Sequence, residues 1–337
     1  MSLLCRATCA APRPTAGPGS LRRLADPEQG GDRSAAAADA RPVISYTLRQ
    51  RIGEMLRGEA AAGRAGTTLD PAVRRPREQR IVPTSIEDIL PGGMLIGREG
   101  AVFVHERLYT ELNERPTPLL KKYEQIGRLP DPDEAPVPHT LPEAIEALDP
   151  PERGLFRKFG HRRMLFLDIE TCGLQSQPVF LVGLCHVGER NLVLRQLFAR
   201  DYAEERSLIA EVERVLGEHD FLVTYNGKTF DLPFLRHRAV YHRLRFETRI
   251  PHLDLLWMVR RRWKDRLPDC RLKTLEWRVL RRLRAGDIDG SEIPGAYHEY
   301  VKHGQPHRLL PVFHHNLLDV VAMVELLPRL FEPEEER

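Results

Sequence analysis

The second half of this sequence predicts an α/β domain, a mixed β-sheet with helices packed on it. Three strand-like apolar runs come first, between about residues 158 and 200. A fourth follows one amphipathic helix, and beyond residue 232 the apolar residues recur mostly at helical spacing. Strands first, then helices alternating with strands, imply a mixed sheet covered by helices.

The elements follow in order. Residues 164–167 (Met-Leu-Phe-Leu) read as a buried strand ending in Asp168. Residues 179–187 and 191–198 read as two more strands, joined by a tight turn at Gly188 and Glu189. Residues 207–216 form a helix, because Leu208, Ile209, Val212, Val215 and Leu216 share one side. Residues 221–224 are a fourth strand that runs into Tyr225-Asn226-Gly227, and a helix follows over 232–241. A fifth strand is expected over 252–256, and the remainder reads as helical, ending with a helix over 316–330. No internal repeat is visible.

The first half is different. Residues 1–80 are rich in Ala, Arg, Gly and Pro, and offer too little apolar surface to offset the entropy of ordering. A disordered arm is expected there, with one short helix over 46–56. Residues 81–150 are expected to form a small β-containing lead-in subdomain, with a strand at 101–104 and a stiff proline-rich linker at 130–138. The regular domain is expected over 158–332.

Among 337 residues the net charge is only +3, so total charge says little about partners. The five cysteines are scattered and odd in number, which argues against a disulfide framework. No apolar run reaches the ~20 residues of a membrane span, so no membrane partner and a cytoplasmic location are expected. The sequence offers no signal for a protein partner.

Three groups of residues carry chemistry. Asp168 and Glu170 lie two apart on a strand, so both point to one face, beside a run of Met, Leu and Phe. Anions so placed repel each other and resist desolvation, and a divalent cation with a taste for oxygen, Mg²⁺ or Mn²⁺, relieves both problems. Asp231 opens a helix after the polar turn at Asn226. Strand ends and helix starts in open α/β sheets face a common crevice. Asp319 lies on the last helix with His315 one turn before it, and His314 falls at or before the helix start. Each acid also has an ordinary reading, as a solvated strand end, a helix cap or a helix-surface charge.

Taken together and in this order, the pieces resemble the DnaQ-like, or DEDD, 3′–5′ exonucleases of the ribonuclease H-like superfamily. Asp168 and Glu170 match the first motif, Asn226, Phe230 and Asp231 the second, and Asp319 the third. The segment from Gly286 to Pro294 with Tyr297 and Tyr300, the pair His315-Asn316, and the stretch from Gly92 to Leu108 are similar to the YprB-like group. The resemblance implies a ribonuclease H-like fold and metal-dependent hydrolysis of single-stranded DNA or RNA from the 3′ end. It implies two ions, with Asp168 bridging, Glu170 and Asp319 on the ion that holds the attacking water, and Asp231 on the second. His314 fits the superfamily's histidine register and His315 the register of the YprB-like group. Either is then the general base. Thr171 and Asn226 would face substrate.

Charge distribution agrees with a polyanionic substrate. Between residues 260 and 284, eleven basic side chains face three acids, an excess of eight positive charges. Arg260, Arg261, Arg262 and Lys273 are the expected phosphate contacts, and the interleaved Trp257, Trp263 and Trp277 are expected in the core. The competing reading is a nucleic-acid-binding module of the same fold with weak or no catalysis.

Overall fold

The computed structural model describes residues 85–112, 118–128, 152–174, 176–247 and 250–332. The expected arm, its short helix and the proline-rich linker lie outside the described residues. Three described elements lead in: helix α1 (Ile86–Ile89) and the hairpin of β1 (Gly93–Gly97) and β2 (Gly100–Leu108). Short helices α2 (Tyr109–Leu112), α3 (Leu119–Gly127) and α4 (Arg153–Phe159) follow. Then come β3 (Met164–Thr171), β4 (Val179–Val187), β5 (Leu192–Phe198), α5 (Glu205–Gly217), β6 (Phe221–Thr224), α6 (Asp231–Tyr241) and β7 (His252–Asp254). Among the described residues, four α-helices follow: α7 (Leu255–Trp263), α8 (Leu272–Arg278), α9 (Ile293–His303) and α10 (Leu310–Arg329).

All seven strands join one mixed sheet in the order β1-β2-β5-β4-β3-β6-β7. The pairs from β1 to β3 are antiparallel, and β3–β6 and β6–β7 are parallel. The strand expected at 101–104 is the centre of β2, and it hydrogen-bonds along β5 from Phe103↔Phe198 to Leu108↔Val193. The lead-in strands thus extend the sheet of the main domain.

Alternation along β3 divides the core. Leu165, Leu167 and Ile169 pack toward α5 and α6, with Leu208, Val212, Leu232 and Leu235. Met164 and Phe166 pack on the other face, with Tyr123, Phe156, Leu317 and Val321 from α3, α4 and α10. Asp168 and Glu170 continue this second row, so side-chain parity alone delivers both acids to the α10 face.

Two boundaries differ from expectation. The fifth strand stops at Asp254, whose side chain accepts from the Leu256 amide and caps α7, so residues 255 and 256 are helical. Helix α10 starts at Leu310 rather than 316. Pro311 sits in its first turn, where a fixed φ and a missing N–H are tolerated, and His314 is therefore well inside the helix. By length and composition the helix spanning Pro306–Arg329 is apolar enough to cross a membrane. Here it is the core helix of the domain, with Val320, Val321, Ala322, Met323, Val324, Leu326 and Leu327 buried.

Candidate metal centre

The site is built where β3, the start of α6 and the middle of α10 meet. Close approach of α10 to the sheet depends on Gly183, the β4 neighbour of Asp168. A Cβ there would lie 2.8 Å from Val320 Cγ2 and would also overlap the Asn316 amide. Into the space this glycine leaves, α10 inserts Asn316, fully buried. Its Nδ2 donates to Asp168 Oδ2 at 2.8 Å, and its Oδ1 accepts from Gln196 Nε2 at 2.9 Å. Gln196 is the next residue across the sheet from Gly183, and His105 the next after it. One polar row, Asp168–Gly183–Gln196–His105, therefore runs under α10. Burial pushes the His105 imidazole down to about 4, so it sits in this row uncharged.

Asp319 faces the acids of β3 from α10. Glu170, His315 and Asp319 each place one donor atom within 4.8 Å of the others, a group that could hold a metal ion. Asp231 is buried at the first position of α6 and accepts from its own and the Ile169 backbone amides. Burial raises the pKa of Asp168 well above the usual carboxylate range, and the charges of Asp319, Glu170 and Asp231 push it further. Glu170 is raised in the same way by burial and by Asp319, Asp231 and Asp287. Asp231 is pushed up to about 7, first by burial and then by Asp254 and Asp319. These groups oppose one another's ionisation, which is the electrostatic condition a hard divalent cation relieves. The donor set fits such an ion.

The two candidate histidines have different surroundings. His315 Nδ1 lies 2.6 Å from Asp287 Oδ1, and its Nε2 lies 3.4 Å from Asp319 Oδ2. His314 turns away, with Nε2 donating to the Ala285 carbonyl at 3.1 Å, and burial lowers its pKa.

Four side chains of the centre carried no assigned role in the motifs. Asn316 and Asp287 stand inside the matched segments. Gln196 and Arg284 are drawn in only by tertiary packing. Arg284 ion-pairs with Asp319, Glu276 and Asp287, at 3.3 Å from the last. Lys273 Nζ lies 2.8 Å from Asp287 Oδ2. Burial works against ionising Asp287, but Lys273, His315 and Arg284 outweigh it and hold its carboxyl below the usual range.

The other expected contacts are placed as follows. Thr171 Oγ1 donates to the Gly173 carbonyl at 2.8 Å. Asn226 is exposed at φ 67°, a left-handed position that asparagine tolerates, and its Oδ1 accepts from Thr229 Oγ1 at 2.6 Å. Its turn is fixed by buried Asp254, which accepts from the Asn226 and Lys228 amides at 2.8 and 3.0 Å. Arg260 is exposed, Arg261 pairs with Glu152 at 2.6 Å, and Arg262 donates to the Leu330 and Glu332 carbonyls at 3.2 and 2.6 Å. The tryptophans differ from expectation. Leu255, Leu256, Met258 and Val259 form the inner face of α7, which leaves Trp257 on its outer face, 56% exposed. Trp277 is 49% exposed with the Arg278 guanidinium 3.8 Å over its ring, and only Trp263 packs against the core.

A mixed sheet with acids gathered between its central strand and a C-terminal helix defines a class: residues 165–331 are a domain of the ribonuclease H superfamily, whose family model matches that span. Within that class the chain is similar to YprB of Bacillus subtilis (strain 168), at 33% identity over 175 residues. The match covers 50% of this chain and 42% of YprB, so the chain spans about two fifths of that relative's length. Among solved structures it is similar to the family B DNA polymerase of the hyperthermophilic archaeon Pyrobaculum calidifontis, with TM-score 0.41 and 18% identity over 50% of this chain and 24% of that one.

Proposed function

We propose that this domain is a metal-dependent 3′–5′ exonuclease that hydrolyses phosphodiester bonds at single-stranded DNA or RNA ends. The observation that carries the reading is the convergence of Asp168, Glu170, Asp231 and Asp319 from three separate segments onto one centre, where burial and neighbouring charge push Asp168, Glu170 and Asp231 to resist ionisation. A module that only binds a polyanion gains nothing from clustered carboxylates beside a phosphate.

In this reading the four acids hold two Mg²⁺ or Mn²⁺ ions, which when bound stabilise the attacking and leaving oxygens of the phosphoryl transfer. The chain's own residues do the rest. Asn316 fixes the Asp168 carboxylate by its 2.8 Å bond, and Asp254 holds the turn that leads to Asp231. Arg284 limits the negative charge on Asp319. His315 is the imidazole of the centre. Exposed Arg260, Arg261 and Lys273 offer positive charge to the substrate backbone, and Trp257 and Trp277 offer exposed rings for stacking, at ~1–3 kcal/mol per base.

One observation favours the competing reading of a binding module. The Arg284 guanidinium already partners Asp319, and a fixed cation there reduces the need for an ion. Degradation of 5′-labelled single-stranded DNA and RNA separates the two. A ladder shortening from the 3′ end with Mg²⁺ or Mn²⁺, absent with EDTA and in Asp168→Ala, is expected. Intact polymer under every metal, with binding retained, would leave the module.

A further inference from the structure

We infer that His315 is a direct metal ligand through Nε2, aimed by Asp287 as its positioning residue, so that the centre is a mixed imidazole–carboxylate site favouring Mn²⁺ over Mg²⁺. The inference rests on the reading that the acids hold a divalent ion.

The two nitrogens of the His315 ring have different partners. His315 is 8% exposed, and its Nδ1 is 2.6 Å from Asp287 Oδ1. An ionised carboxylate can only accept, so Nδ1 carries the proton and donates. Asp287 is kept in the accepting form by Lys273 Nζ at 2.8 Å and Arg284 Nη1 at 3.3 Å on its other oxygen. With Nδ1 protonated, the neutral ring presents the Nε2 lone pair. That lone pair points toward Asp319 Oδ2, 3.4 Å away, with a Glu170 oxygen in the same group within 4.8 Å. One nitrogen and two carboxylate oxygens face one another here, and a cation between them would be held by all three.

A carboxylate on the far nitrogen is the usual way a ligating histidine is held to one tautomer and one orientation. Donor chemistry then sets the preference. Mn²⁺ shares the suitability of Mg²⁺ for carboxylate oxygens but, as a first-row transition ion, accepts an imidazole nitrogen more readily than Mg²⁺, which keeps to near-ideal octahedral oxygen ligands and its own waters. Asp287 comes from the loop between α8 and α9, outside the three acid-bearing segments. The sequence motifs alone would not have placed it at the metal.

The test uses the full chain and Mn²⁺ alone, with affinity read by electron paramagnetic resonance and ligation by electron spin echo. The wild type is expected to show nitrogen coupling to bound Mn²⁺ that His315→Ala loses. Asp287→Asn is expected to weaken Mn²⁺ by about 10- to 100-fold and to lose the coupling, because an amide turned toward Nδ1 favours the tautomer with the proton on Nε2. Lys273→Met spares the Oδ1 bond and should keep the coupling. Mg²⁺ should displace Mn²⁺ only in large excess. Bound Mn²⁺ without nitrogen coupling in the wild type would overturn the inference, as would Asp287→Asn with unchanged affinity and coupling. If Asp287→Asn fails to fold, wild type against His315→Ala still decides ligation. Absence of any bound Mn²⁺ would remove the metal reading as well. Nitrogen-coupled Mn²⁺ in a protein that cleaves nothing would overturn the proposed activity and leave the ligand assignment standing.

Discussion

Two buried acid centres lie on opposite faces of the sheet, and they are solved in opposite ways. On the α5–α6 face, Glu205 is 1% exposed and fully answered by the chain itself. It accepts from the Val179 amide at 2.8 Å, from Arg238 Nε and Nη2 at 2.7 and 2.5 Å, and pairs with His242 Nε2 at 2.7 Å. Where α10 meets the end of β3 and the start of α6, Asp168, Glu170, Asp231 and Asp319 share Arg284 on one member, and three of them are pushed to resist ionisation. A matched buried acid is architecture. An unmatched group of them is what an incoming cation would relieve, and on that difference the proposed function assigns the chemistry to the second centre.

Activity should separate the two centres most sharply. Asp168→Ala should lower cleavage by more than about 100-fold, beyond what loss of an outer-shell partner costs, while Glu205→Gln should leave turnover per folded molecule unchanged. Comparable losses in both variants, measured on folded protein, would erase the distinction.

Stability should move the other way. Glu205→Ala leaves Arg238 buried without its partner and should destabilise by about 3–5 kcal/mol in denaturant melts. Asp231→Asn removes a repelled charge and should raise the melting temperature in EDTA. A drop there would mean that the acids are compensated already.

Within the working centre, His315→Ala should reduce turnover at least about tenfold more than His314→Ala, since only His315 stands among the carboxylates. Equal losses would place neither ring at the reaction.

The two centres also differ in pH dependence. The Asp231 pKa is raised to about 7 from its ordinary 3.8, so between those values the native state binds a proton that the unfolded chain does not. Its contribution to metal-free stability is present at low pH and lost as pH rises through about 7. Melts in EDTA should therefore show a downward slope over that window, flattened in Asp231→Asn. An unchanged slope in the variant would assign the effect elsewhere.

Much of the fold was legible because period-2 and period-3.6 patterns are local. Strands β4 and β6 and the buried side of α5 follow directly from their apolar residues. The start of α10 was not legible, because Pro311 reads as a break until its place in the first turn is known. Strand parity put Asp168 and Glu170 on one face, and the family resemblance, through its motif order, added Asp231 and Asp319 to the candidate site. Their supports could not be found this way. Gln196 reaches Asn316 across the sheet, and Arg284 looks in sequence like any other member of the basic run. Spacing also left His314 and His315 open, because one residue of register on a helix decides which ring faces Asp319. The tryptophans were misplaced for the same reason. A hydrophobic residue in a short amphipathic helix reads as core until the direction of the helix is fixed.

Metal binding by these acids can be read from the melting temperature of the full chain at pH 8, with and without Mn²⁺, beside Asp168→Ala. An ion that binds only the folded state raises stability by RT ln(1 + [ion]/Kd). A saturable rise is expected in the wild type and should be lost in Asp168→Ala. Equal shifts in both proteins, or none in the wild type, would contradict the claim that these acids are gathered to hold a metal.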